Sequence, residues 1–160
     1  MVLSYDVGSL PLRVNKSIIC EGARRSGSLL SLVGSSDAVD VFEREVVGGF
    51  VDKVNTGIDV PNFPQFRDMN EMYFELIRGI EKAPDGYMAF DSPSAKPNMP
   101  VPEIEVIRKN ASMIRDLTGL ERVRLKVCVT GPYTLASLFP VKNARLFEDL
   151  GGALADIVSQ

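Results

Sequence analysis

The chain has no histidine among its 160 residues, and this absence restricts its chemistry more than any other feature of its composition. Histidine is the usual general base near neutral pH and the commonest protein ligand of zinc. Serine–histidine pairs, cysteine–histidine pairs and histidine-ligated zinc sites are therefore excluded within this chain. Any catalysis must use carboxylates, Lys, Arg, Tyr, a lone Cys or a group supplied by another chain.

Cysteines and long runs of one residue class are also scarce. Cys20 and Cys128 are far apart and form no C-x-x-C, so neither a disulfide framework nor a zinc ribbon is indicated.

The 18 Lys and Arg against 21 Asp and Glu give a net charge of -3, with no like-charge block suited to nucleic acid. No leader segment and no apolar run of membrane-spanning length is found. We therefore expect a cytoplasmic protein that binds neither nucleic acid nor membranes.

Hydrophobic periodicity predicts a single α/β unit over residues 1–160, in which short strands alternate with helices. Predicted helices cover 37–56 (after Ser36 as N-cap), about 66–81, 102–119, and the region after Asn143 as N-cap. Predicted strands cover 3–7, 58–60 and 123–129, with 87–90 as an additional strand and 15–34 as a loose segment. Such alternation predicts parallel connections. Length favours a small open parallel sheet, because a complete (β/α)8 barrel needs roughly 250 residues.

Each predicted strand ends at a turn that contains glycine or proline. The first strand meets residues 8–11 (GSLP), the second meets 61–64 (PNFP), and the third meets Gly131-Pro132. Proline fixes the backbone, and glycine permits the close approach of another group. These turns are therefore candidate ligand sites, since α/β folds place their sites at strand ends.

Three segments together resemble the cobalamin-independent methionine synthase family. They are residues 6–11 (DVGSLP), 57–60 with 65–69 (GIDV and QFRDM), and 129–135 (VTGPYTL). The similarity is closest to short archaeal members that consist of the catalytic barrel alone, and it covers only the first half of that barrel. The third segment is shared with the uroporphyrinogen decarboxylase and methylcobalamin:coenzyme M methyltransferase families. The resemblance implies the N-terminal half of a (β/α)8 TIM barrel.

The resemblance also implies a substrate site at the first turn. In this family that turn holds the amino-acid part of homocysteine, which assigns Val7, Gly8 and Ser9 to substrate binding. Backbone N–H groups beside a small hydroxyl suit a carboxylate. The alternative interpretation is that Gly8-Ser9 is only a turn before Pro11.

The second segment departs from the family at one position. The family's glutamate, which meets the substrate ammonium, corresponds to Gln65, and a neutral amide loses about 1 to 2 kcal/mol of charge-assisted hydrogen bonding. Either the ligand differs or Asp59 or Asp68 compensates for the lost charge. Arg67 and Asp68 are also predicted as substrate-side residues, with a surface ion pair at a helix start as the alternative.

The third segment is assigned to the methyl-donor side. Its residues are Thr130, Gly131, Pro132, Tyr133 and Thr134. The family's zinc, which turns the thiol into a thiolate, is bound by His, Cys and Glu ligands in the second half of the barrel. Those ligands are absent here, so we expect this chain alone to bind no cofactor.

The resemblance implies transfer of a methyl group to the thiol of homocysteine, by a chain that is active only when completed. Its expected partners are a complementary C-terminal half-barrel or a second copy, with a folate or a corrinoid protein as methyl donor. One alternative is a non-catalytic small-molecule binding or assembly subunit. A uroporphyrinogen-decarboxylase-like lyase or a methylcobalamin:thiol methyltransferase is a weaker alternative, because no arginine-rich substrate segment lies near the N-terminus.

Overall fold

The computed structural model describes residues 3–26 and 37–160, which form a mixed α/β chain. The proposed N-cap Ser36 lies outside these residues. Over the described ranges no helix has both the length and the apolar character that a membrane crossing requires. The helices and strands of the described residues are α1 (Lys16–Ser26), α2 (Asp37–Asn55), α3 (Met69–Glu75), β1 (Ile77–Ala83), β2 (Gly86–Ala95), α4 (Pro102–Lys109), α5 (Ala111–Thr118), α6 (Pro132–Ser137) and α7 (Ala144–Ser159).

The chain divides into two compact units. Unit 1 comprises Met1–Arg67 and Val101–Cys128, and unit 2 comprises Asp68–Pro100 and Val129–Gln160. The prediction of one α/β unit over 1–160 is not tested by this division and stays a prediction. The predicted α/β class fits only coarsely, because the described residues form seven helices and one two-stranded antiparallel sheet and show no barrel.

Helix α2 is the centre of unit 1, where it packs against α1, α4 and α5. Its side chains Phe42, Val46 and Phe50 are fully buried and recur at helical spacing, as the sequence predicts. The helix ends before Gly57, whose φ of 85° favours glycine. The prediction of a helix over 37–56 is therefore confirmed to within a residue.

Three isolated parallel bridges lie within or just after the segments predicted as strands in unit 1. The first segment pairs with the second, and the second pairs with the third, so neighbours in space are also neighbours in chain order. Each contact is a single bridge rather than a ladder, and residues 123–129 are otherwise not a strand. The paired residues are Tyr5 with Val60, Ser9 with Gln65, and Asn62 with Lys126.

Two predictions about helices in unit 1 are wrong. Residues 15–34 were predicted as a loose segment, but Lys16–Ser26 form α1, which buries Ile19 and Ala23 completely. The helix predicted over 102–119 is broken at Asn110, whose Nδ2 donates to Val106 O at 2.9 Å. An asparagine side chain that competes for helical carbonyls in this way explains the interruption.

The glycine pair inside α2 has two different environments. A Cβ on Gly49 would lie 3.0 Å from Leu10 Cδ1 and 3.2 Å from the Phe66 ring, so close packing explains this glycine. A Cβ on Gly48 would meet nothing within 4 Å, and nothing in the structure explains that glycine.

Unit 2 is built on an antiparallel hairpin of β1 and β2, on which α7 packs. The predicted strand at 87–90 is confirmed as part of β2. The predicted helix over 66–81 is wrong beyond residue 76, because Ile77–Ala83 form β1. Gly79, with φ of 85° at an irregularity of the pairing, does not fit a helix and explains the difference. This sheet is antiparallel, whereas the sequence predicts parallel connections.

Helix α7 begins where the sequence predicts, after Asn143. The Oδ1 atom of Asn143 accepts a hydrogen bond from the Leu146 N–H at 2.8 Å. We expect Asn143→Ala to lower the free energy of unfolding by about 1 kcal/mol, because one N–H of the first turn loses its acceptor. Urea denaturation followed by circular dichroism measures the change. Asn143→Asp keeps an acceptor, so an equal loss in that variant would contradict the capping role.

Candidate functional site

Residues 6–9, called the Gly8 turn below, follow the first predicted strand. Gly8 is buried with φ of 96°, and a Cβ there would overlap Asn62 Nδ2 and lie 2.7 Å from Gln65 Cδ. Only glycine fits this position. The Gln65 N–H donates to Gly8 O at 3.0 Å, so the first two segments of the resemblance meet at the turn. Val7, 79% exposed, and the exposed Ser9 leave the other face of the turn open.

A buried lysine lies beneath the Gly8 turn. The Lys53 side chain, on α2, is only 4% exposed. Its Nζ donates to Asp6 Oδ2 at 2.5 Å, to Gly8 O at 2.8 Å and to Asn62 O at 3.2 Å. These three acceptors use all three ammonium protons. The lysine therefore holds the turn, the second segment and the helix together.

Both oxygens of the Asp6 carboxylate are used within the protein. Oδ1 accepts the Asn62 N–H at 2.5 Å, and Oδ2 accepts the Gly8 N–H at 3.1 Å as well as Lys53. Burial opposes ionisation, but the hydrogen bonds from Asn62, Lys53 and Gly8 outweigh it and lower the pKa of Asp6. The Gly8 N–H, which we expected to be available to a ligand carboxylate, is thus bonded to Asp6.

Two buried amide atoms next to the turn have no hydrogen-bond partner in the described part of the chain. They are Asn62 Oδ1 and Gln65 Nε2, and the side chains that carry them are 0% and 8% exposed. Asn62 Nδ2 donates to Val7 O at 3.2 Å, which fixes the orientation of that amide. A buried polar atom without a partner costs about 1–3 kcal/mol. The two atoms are therefore candidate contacts for a ligand or a water.

Sequence reasoning missed Lys53 and Asn62. A signal for Lys53 was present, since it falls on the same helical face as Val46 and Phe50, where a charge is unusual unless paired. Asn62 gave no such signal, because an asparagine between prolines is typical of an ordinary turn.

The other predicted substrate-side residues contact different partners. Asp59 accepts the Ser4 N–H at 2.8 Å and the Ser4 hydroxyl at 2.7 Å, and these bonds lower the pKa of Asp59. Arg67 forms a buried, two-bond ion pair with Glu103, with Nε to Oε1 at 2.7 Å and Nη2 to Oε2 at 2.9 Å. Asp68 caps α3 in unit 2 through the N–H groups of its first turn. Their roles in substrate binding stay predictions.

The predicted methyl-donor residues belong to unit 2. Thr130 is 8% exposed, and Gly131 and Pro132 stand at the start of the short helix α6. A Cβ on Gly131 would meet nothing within 4 Å, so its surroundings are open. Tyr133 is 79% exposed and its ring lies 6.1 Å from that of Phe147. The methyl-donor assignment also stays a prediction.

A cleft of about 330 Å³ opens beside Leu10 and Pro11, which follow the Gly8 turn in the chain. Its floor is apolar, and its rim carries the ion pair between Arg13 and Asp52, 3.1 Å apart. Arg44 Nε on the same rim lies 3.9 Å from Glu45 Oε1. The cleft is lined by Leu10, Pro11, Arg13, Arg44, Glu45, Gly48, Gly49, Asp52 and Phe66.

The residues present do not fit the zinc ion that the resemblance implies. The sequence has no histidine, and the described residues contain no group of three or more His, Cys, Asp or Glu placed to bind a metal. Cys20 and Cys128 are not joined in a disulfide bond. The chemistry available at the Gly8 turn is therefore hydrogen bonding and charge.

Comparison with known proteins found no similar family, protein or structure. No family model matches the chain, and neither the curated proteins nor the solved structures contain a significant match.

Proposed function

We propose that this chain binds a small thiol substrate at the Gly8 turn and forms the N-terminal half of a methionine-synthase-like (β/α)8 barrel. The observation that carries the proposal is the meeting of Gly8 and Gln65, which come from two separate segments of the resemblance. Both positions are substrate residues in that family. Their contact supports a common site.

The order of the parallel bridges supports the barrel. In a (β/α)8 barrel each strand pairs with its neighbours in chain order, and a helix covers every connection. The segments around residues 5–9, 60–65 and 126 pair in that order, with α1 and α2 between the first two. An open parallel sheet also permits this order, but the three segments of the resemblance favour the barrel.

The unpartnered amide atoms support ligand binding at the turn rather than a purely structural role. Asn62 Oδ1 and Gln65 Nε2 are both buried beside Gly8, and a structural turn gains nothing from leaving them unbonded. The exposed Ser9 adds a hydroxyl on the open face. A donor, an acceptor and a hydroxyl around one glycine suit a small polar molecule.

Methyl transfer by this chain requires a second polypeptide. Zinc would supply thiolate activation, and the residues here do not fit a zinc site, so its ligands would come from a complementary half-barrel. A second copy of the chain would bring the same residues, again without histidine. The methyl donor would be a folate or a methylated corrinoid protein, approaching the side of residues 130–134. Unpaired strand edges of a half-barrel favour such association.

A second candidate function is binding without turnover. It is favoured by the same lack of a metal-ligand group among the described residues. Under this alternative the Gly8 turn holds its ligand for storage, sensing or assembly. Zinc-dependent methylation of the thiol by a mixture of this chain with its complementary half would exclude it.

Ligand binding at the turn is tested by calorimetric titration with L-homocysteine and with its deamino analogue 4-sulfanylbutanoate, under reducing conditions. We expect at least one of them to bind, and Ser9→Ala to weaken that binding about 5-fold, since one neutral hydrogen bond is worth about 1 kcal/mol. Ser112→Ala removes an equally exposed hydroxyl from α5 and is expected to leave the affinity unchanged. If neither thiol binds the unchanged protein, the proposed function is wrong.

A further inference from the structure

The charges around the Gly8 turn restrict the kind of thiol that can bind there. We infer that the substrate is a thiol acid without an α-ammonium group, rather than an amino acid such as homocysteine. This inference rests on the proposed function, because it takes the Gly8 turn as the substrate site. It changes the substrate class from the one that the resemblance implies.

The turn has an excess of positive charge. Lys53 Nζ is buried against Gly8 O, and Lys126 Nζ lies 3.3 Å from Asp6 O. The Asp6 carboxylate pairs with Lys53 and has both oxygens occupied, whereas Lys126 contacts the backbone oxygen of Asp6. The charged groups that contact residues 6–9 are thus two ammonium groups and the Asp6 carboxylate, which leaves one positive charge among these three groups. A third ammonium, brought by an amino-acid ligand, would meet repulsion, whereas an anionic group is attracted.

The neighbouring cleft does not supply the missing negative charge. Its acidic residues Asp52 and Glu45 are each accompanied by an arginine, with Arg13 3.1 Å from Asp52 and Arg44 3.9 Å from Glu45. The rim therefore carries equal numbers of positive and negative groups. It offers a ligand ammonium no surplus carboxylate.

The neutral amides at the turn fit an anion better than an ammonium. Gln65 Nε2 is a buried donor without a partner, and a carboxylate oxygen would satisfy it. Asn62 Oδ1 is a single neutral acceptor, whereas an ammonium has three protons to place. A desolvated ammonium here would keep both an unbalanced charge and unsatisfied protons, which is costly. Gln65 thus acts as a donor to the acid group of the ligand.

The experiment compares L-homocysteine with 4-sulfanylbutanoate, which differs only by the missing α-amino group. Calorimetric titration of the unchanged full chain under reducing conditions is expected to give about 10-fold tighter binding of 4-sulfanylbutanoate, the factor that about 1.4 kcal/mol represents. Gln65→Glu is expected to reverse this preference, because it adds a charged acceptor and removes a donor. Gln160→Glu adds the same charge at an exposed residue of unit 2 and is expected to keep the original preference.

The outcomes separate the inference from the proposed function. Tighter binding of homocysteine by the unchanged protein would overturn the inference and leave the proposed function in place. Binding of neither thiol would overturn both. The comparison of two ligands on the unchanged protein needs no variant, so the inference stays testable even if Gln65→Glu does not fold.

Discussion

Glu103→Ala is expected to lower the free energy of unfolding by about 3–5 kcal/mol, the largest effect of any single substitution considered for this chain. The side chains of Arg67 and Glu103 are 5% and 1% exposed, and two short hydrogen bonds join them. Removal of the carboxylate takes away both hydrogen bonds and the negative charge that Glu103 places against the buried guanidinium. Urea denaturation at pH 7, followed by circular dichroism, measures the loss.

Two controls distinguish the cost of leaving a charge buried from the cost of breaking any salt bridge. Glu105→Ala breaks the pair with Arg108, which is 75% exposed, and is expected to cost less than about 1 kcal/mol. The double substitution of Arg67→Met with Glu103→Leu removes both buried charges and is expected to recover most of the lost stability. If Glu103→Ala cost no more than Glu105→Ala, the buried pair would not contribute as described.

Lys53→Met is expected to cost about 3 kcal/mol and to change the response of the protein to acid. Methionine is unbranched like lysine but one atom shorter and uncharged, and it leaves Asp6 Oδ2, Gly8 O and Asn62 O without their shared donor. The Gly8 turn then loses its link to α2. We expect ligand affinity to fall together with stability, since the same turn is proposed to bind the thiol.

The acid response follows from the lowered pKa of Asp6. Its carboxyl has a lower pKa in the folded chain than the ordinary value of 3.8, so the unfolded chain takes up the proton first as the pH falls. The contribution of Asp6 to stability is therefore complete above about pH 5 and is lost as the pH falls through the folded pKa. Lys53→Met is expected to reduce this acid-dependent loss. Melting temperatures measured between pH 7 and pH 2.5 check it, and a loss as steep as in the unchanged protein would contradict the role of the pair.

Helices with strong local signals were predictable from the sequence. The apolar spacing of α2 and the Asn143 cap of α7 lie within single stretches of chain, and both helices are found where they were expected. The hairpin was not predictable in the same way, because residues 69–80 carry a helical apolar period that is interrupted only by the conformation of Gly79. Here the pairing with β2 overrides the local pattern.

The candidate site was predictable in part. The resemblance brought Gly8 and Gln65 to one site, and the structure places them in contact, although their function stays a proposal. The Lys53 bond to Asp6 and the Arg67 pair with Glu103 join residues 47 and 36 positions apart. The apolar periodicity of one segment does not indicate which distant residue a charged side chain will pair with. Pairs of this kind come from tertiary packing, which decides which charges can be buried.

The division of unit 1 between two stretches of chain has a consequence for its synthesis on the ribosome. Val101–Cys128 leave the ribosome only after all of Asp68–Pro100 have been made, an interval of seconds at about 5–20 residues per second. Until then the face of α2 that packs against α4 and α5 has no cover. Nascent chains that end before residue 101 should therefore expose the side of α2 that later packs against α4 and α5 to chaperones and proteases.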